Sequence, residues 1–128
     1  MASGTVKLNQ FRELLAQGVA TVHLDARHPG VSVPLHLRGT DGLPLNLSYR
    51  YAGANLHCDD EDLCATLSFS GKPFRCVIPW EAVWGITTVD RRGQVWLEDV
   101  PVSFMERIGE CVEAARAARR PRRERWVN

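Results

Sequence analysis

The sequence predicts a mainly β protein of the α+β class. The expected architecture is an antiparallel β-sandwich or partly open barrel flanked by an N-terminal and a C-terminal helix. Three observations carry this expectation: short runs of alternating apolar residues recur between residues 19 and 100, turn residues separate them at close intervals, and only the two ends show helical spacing. Close-set strands with no long helix between them indicate sandwich or barrel packing. A length of 128 residues suits one modest core, and 45% hydrophobic content with four tryptophans excludes a disordered chain.

Leu8, Phe11, Leu14 and Leu15 form one stripe at helical spacing within residues 1–18, with Ser3 or Thr5 as candidate cap and Gly18 as the stop. So short a helix must dock its stripe, on the chain's own sheet or on the same helix of a second copy. Strands are expected at Val19–Asp25 and, after the His28-Pro29-Gly30 turn, at Val31–Leu37. Thr40-Asp41-Gly42 is a hairpin signal, and Leu43, Leu45, Leu47 and Tyr49 share one face of the strand that follows. Ala52-Gly53-Ala54 breaks that strand, Leu56–Cys58 is short, and Asp59-Asp60-Glu61-Asp62 is a solvated turn. Leu63–Phe69 and Pro73–Ile78 flank Ser70-Gly71, and a short helical step follows at Trp80–Val83. Trp84–Val89 and Gln94–Leu97 flank Arg91-Arg92-Gly93. Pro34 and Pro44 cannot donate to a ladder, which puts them on edge strands or strand starts. Open edges of this kind serve domains that add an extended peptide to a sheet.

The second helix is expected over 103–119. Ser103 and Glu106 form a capping box, Phe104, Ile108, Cys111, Val112 and Ala115 make its stripe, and Pro121 follows its end. Residues 120–128 form a basic tail. Six arginines and one glutamate give residues 116–128 a net charge of +5, against −4 for the rest of the chain.

The catalytic signals are missing. His23, His28, His36 and His57 fall in strands or turns, no serine stands in a Gly-x-Ser-x-Gly, and neither a phosphate loop nor a dinucleotide fingerprint occurs. Cys58, Cys64, Cys76 and Cys111 lack metal-ligand spacing and read as reduced thiols. No enzyme, metal or cofactor is expected. Nucleic-acid binding through the arginine tail, with Trp126 stacking on a base, is disfavoured because the body is net acidic. The alternative functions are a small β-barrel binding RNA or ribosomes through that tail, and a peptide-binding module outside proteolysis. No apolar run approaches the ~20 residues of a membrane span and no signal pattern opens the chain, so a cytoplasmic protein is expected.

The ordered set Pro29-Gly30-Val31-Ser32-Val33-Pro34, Asp41-Gly42, Leu45-Asn46-Leu47 and Phe69-Ser70-Gly71-Lys72-Pro73, continued to Ile86, resembles the stringent starvation protein B (SspB) family. These proteins are adaptors that deliver tagged substrates to the ClpXP protease. The resemblance covers roughly residues 19–90 and implies an SspB-like β domain over 19–100. It further implies a homodimer formed through the N-terminal helix (Leu8, Phe11, Leu14, Leu15). It implies a groove for ssrA-like degradation tags, lined by Leu45, Asn46, Leu47 and Ser48 on one strand and Thr66, Leu67, Ser68 and Phe69 on another. Family members end in a basic-apolar module that docks on ClpX. Here that place is taken by Arg125-Trp126-Val127-Asn128, of which Arg125 and Val127 match the family pattern. The family's long linker is replaced by the predicted second helix and a loose segment of about nine residues, a reach of ~30 Å.

Overall fold

Ser3 starts the first helix. Its Oγ accepts the Val6 N–H at 3.2 Å, and α1 runs from Gly4 to Leu15. The computed structural model describes residues 3–48 and 56–110. Tyr49, the Ala52-Gly53-Ala54 break, the second helix beyond residue 110 and the terminal module Arg125–Asn128 lie outside the described residues.

The strands are β1 (Ala20–Leu24), β2 (Leu43–Leu47), β3 (His57–Cys58), β4 (Asp62–Phe69), β5 (Lys72–Pro79), β6 (Val83–Thr87) and β7 (Gly93–Val95). They form two antiparallel sheets, one in the order β2-β1-β6-β7 and the other β3-β4-β5. The protein is thus mainly β with helices at both ends, since residues 102–110 form a second helix, α2. Along β1 and β2 every second residue is buried, so Ala20, Val22, Leu24, Leu43, Leu45 and Leu47 all turn to one core. From the other sheet Leu63, Ala65, Cys76 and Ile78 face the same core. The β4–β5 hairpin turns through Ser70 (φ 54°) and Gly71 (φ 81°), the left-handed pair that matches the twist of two antiparallel strands.

The α1 stripe is spent inside the chain. Leu8, Phe11, Leu14 and Leu15 are 0–6% exposed, and the Phe11 ring packs on Trp80 at 5.7 Å. These four side chains, which the family resemblance assigns to a dimer contact, are thus packed within their own chain. The marginal short helix finds its partner in its own core, the nearer of the two docking choices.

Lys7 shares this stripe, four residues before Phe11 and seven before Leu14, and is fully buried. Its Nζ donates to Trp80 O (2.8 Å) and Val83 O (2.6 Å). Asp99 Oδ2 lies 3.0 Å away as an ion pair, without a well-angled hydrogen bond. The same ammonium sits 5.5 Å from the Trp96 ring centre. One cation thus ties α1 to the 3₁₀ turn Trp80–Ala82 and to the 3₁₀ turn Leu97–Asp99.

Three local expectations fail for tertiary reasons. Residues 31–37 are not a strand: Ser32 makes a single bridge to Val77, and Leu35–Leu37 form a 3₁₀ turn behind Pro34. Asp41-Gly42 is accordingly not a hairpin turn, because β2 pairs with β1 and not with the segment before it. Asp41 is used instead to dock α2. Its side chain is 5% exposed, accepts from Ser103 Oγ (2.5 Å) and Arg107 Nη1 (2.8 Å), and also accepts from Arg107 Nη2. Ser103 therefore does not cap α2. The helix starts at residue 102, and Pro101 O receives the Phe104 and Met105 N–H groups. Phe104 stacks on Trp84 at 4.8 Å and lies directly over Gly42, where any Cβ would collide with its ring.

The Arg107 and Ser103 hydrogen bonds hold the Asp41 carboxyl well below the usual carboxylate range. Asp41→Asn should cost about 1–2 kcal/mol at neutral pH, a modest figure because Arg107 is 56% exposed and screened by water. Because the folded-state pKa is lowered, this stability is present above the ordinary carboxylate pKa of about 3.9 and fades as pH falls toward the folded value. Denaturant titrations of both proteins from pH 7 down to pH ~2 should show the gap between them narrowing toward the acid end.

Candidate functional site

Between β2 and the far end of β4 lies a groove of about 410 Å³ lined by Pro44, Leu45, Asn46, Leu67, Ser68 and Phe69. The alternation of β2 explains one wall: Leu45 closes the floor at 5% exposure while Pro44 and Asn46 stay exposed. The other wall is the tip of the β4–β5 hairpin, where Leu67, Phe69 and Phe74 are only partly buried against the core. No lining residue is charged, and the lining mixes apolar ground from Pro44, Leu45, Leu67 and Phe69 with the polar groups of Asn46 and Ser68.

The ladder parity decides which backbone groups face this groove. Opposed residues in an antiparallel pair alternate between exchanging both backbone bonds and turning those groups away from each other. The Trp96 N–H donates to Trp84 O (2.8 Å) and the Thr88 N–H to Arg92 O (2.9 Å), so Gly85, between them, turns its backbone from β7 toward His23 of β1. His23 and Thr21 are then engaged with β6, and their opposite neighbours Pro44 and Asn46 turn outward. Among the described residues no strand pairs with the outer edge of β2, and that edge thus presents the Pro44 carbonyl and both backbone groups of Asn46. The same counting applies to the second sheet. Ser32 exchanges both bonds with Val77 (2.8 and 3.1 Å), so Val77 and its opposite Cys64 turn away from each other, and Ser68 also turns from β5. On that side β3 pairs with Leu63 and Cys64, and among the described residues no strand lies beside Ser68. Pro44, Pro73 and Pro79 all occupy positions whose nitrogen faces away from the neighbouring strand of the ladder, which is why three prolines fit in strands.

Of the residues expected to line a groove, the structure brings Leu45, Asn46, Leu67, Ser68 and Phe69 together. Leu47 is fully buried in the core, Ser48 is 8% exposed at the end of β2, and Thr66 is half-buried on the outer face of β4, so these three lie off the lining. Pro44, expected as an edge-strand residue but not as a groove residue, joins the lining. Its place beside Leu45 on an edge strand is the signal that points to it. The Asn46 side chain is braced by Thr21, whose Oγ1 donates to Asn46 Oδ1 at 2.7 Å.

The titratable groups elsewhere do not assemble a reaction centre from the described residues. His23 Nε2 lies 2.9 Å from Thr87 Oγ1, its ring packs on Trp84, and burial lowers its pKa. His57 faces Cys64 across the β3–β4 ladder. Burial and Asp62 raise the Cys64 thiol pKa, the reverse of what a nucleophilic thiol needs. Burial alone pushes Cys76 up to about 11. Among the described residues, no group of three or more His, Cys, Asp or Glu is placed to hold a metal ion. Nor is any described helix long and apolar enough to cross a membrane.

No protein-family model and no curated protein matches this sequence.

Proposed function

We propose that this chain is a non-enzymatic adaptor of the SspB kind, which holds degradation-tagged, ssrA-like polypeptides and hands them to the ClpXP protease in the cytoplasm. The observation that supports the holding step is the groove at the open edge of β2. An extended segment laid there meets unpaired backbone groups of Asn46 and alternating apolar ground from Leu45, Leu67 and Phe69. Backbone pairing supplies affinity that any sequence can use, and the pockets for alternate side chains supply selection. The handing-over step rests on the resemblance of Arg125-Trp126-Val127-Asn128 to the family's ClpX-docking module. An aromatic anchor flanked by a cation suits an apolar pocket with a carboxylate at its rim. A homodimer in this reading uses a surface other than the buried stripe of α1.

The test is degradation of a tagged fluorescent protein by ClpXP, with full-length adaptor compared to one ending at residue 124. The shortened protein should bind the tag peptide with unchanged affinity and lose its stimulation of degradation. Stimulation that survives the truncation removes ClpX docking from the tail. Steep, log-linear salt dependence of binding to RNA by the arginine segment would favour the nucleic-acid reading.

A further inference from the structure

The groove's lining residues are uncharged, and of the two cations on the β4–β5 hairpin, Lys72 and Arg75, Lys72 is the one paired with a lining residue. Lys72 is the direct cross-strand partner of Phe69, which lines the groove. Directly opposed residues share a face of the sheet, and Phe69 and Phe74 both pack toward the core, so Lys72 is carried on the same face as the lining residue Phe69. The left-handed Ser70 and Gly71 hold the tip of the hairpin, so the Lys72 backbone is fixed while its exposed amine is free to reach. Within residues 62–79 the acidic side chain is Asp62, at the opposite end of the hairpin. The β2 wall, Leu43–Leu47, carries no charge either. The positive charge at this end of the groove is therefore not neutralised by either wall.

We propose that Lys72 makes the groove selective for extended segments whose apolar stretch is flanked on one side by a carboxylate side chain, an inference that rests on the peptide-binding reading above. The backbone edge of β2 and the apolar floor hold the segment, and the amine discriminates at its flank. An exposed ion pair of this kind is weak and screened by water, so the preference is about threefold.

Fluorescence anisotropy with three end-blocked, labelled peptides tests this. They share an Ala-Val-Ser-Val-Ala core and carry Glu before it, Glu after it, or Gln at both places. One Glu peptide should bind wild-type protein about threefold tighter than the Gln peptide at low salt, and the gap should close near ~0.5 M salt. Lys72→Gln should erase the preference and Lys72→Glu should reverse it, both leaving affinity for the Gln peptide unchanged. A preference that persists in Lys72→Gln, or its absence in the wild type, overturns the Lys72 assignment while the groove reading stands. Failure of all three peptides to bind overturns both. Peptide affinity that falls as the protein is concentrated assigns the groove to a second copy of the chain and overturns the proposal.

Discussion

Lys7→Met should destabilise the protein by about 3–5 kcal/mol, the largest effect expected of any single exchange outside the apolar core. Methionine fills nearly the same volume and keeps the helix propensity, so packing is not the reason. The substitution strips the Trp80 and Val83 carbonyls of their donor and leaves the Asp99 carboxylate, 3% exposed, without its cation. An unpaired buried charge is what makes such a loss expensive. The double substitution Lys7→Met with Asp99→Asn should recover part of the loss, because the uncompensated charge is gone while the two carbonyls stay bare. Urea titrations of the two single variants, the double variant and the wild type form a complete cycle. Additive losses in the double variant would show that Lys7 and Asp99 do not act as a pair.

The second large effect concerns the edge of β2. If a bound segment adds as a strand, every second N–H of it points at the Asn46 edge and the others point away. N-methylation of the ligand at alternate residues should then weaken binding at least tenfold, about 1.4 kcal/mol, in one phase and be tolerated in the other. Leu67→Gln should weaken the unmodified ligand by a similar factor, since Leu67 lines the groove without being part of the fully buried core. Calorimetry on the two methylated peptides separates strand addition from side-chain capture. Equal losses in both phases would remove the backbone edge from the reading. Unchanged affinity in a folded Leu67→Gln variant would remove the hairpin wall.

Much of the architecture was legible because it depends on local periodicity. The 8-11-14-15 stripe specified α1, the alternation of Leu43, Leu45 and Leu47 specified β2, and Ser70-Gly71 specified the hairpin that carries one wall of the groove. Pro44 marked an edge strand, and among the described residues β2 is the outermost strand of its sheet. Lys7 was also within reach, because its spacing to Phe11 and Leu14 places it on the same face of α1, but a lysine there reads as solvated until its partners are seen.

Other features depend on residues far apart in the chain. Asp41-Gly42 has the local chemistry of a hairpin turn, but Arg107 and Ser103, more than 60 positions away, claim the Asp41 carboxylate, and Phe104 occupies the space above Gly42. Local propensity yielded there to a charged hydrogen bond and a ring contact, each worth more than the turn preference. The same holds for the α1 stripe, whose spacing is indifferent to whether it meets its own sheet or a second copy. Periodicity determined which residues share a face. Only the packing of that face, against Trp80 and the buried Lys7–Asp99 pair, decided that the core is completed within one chain.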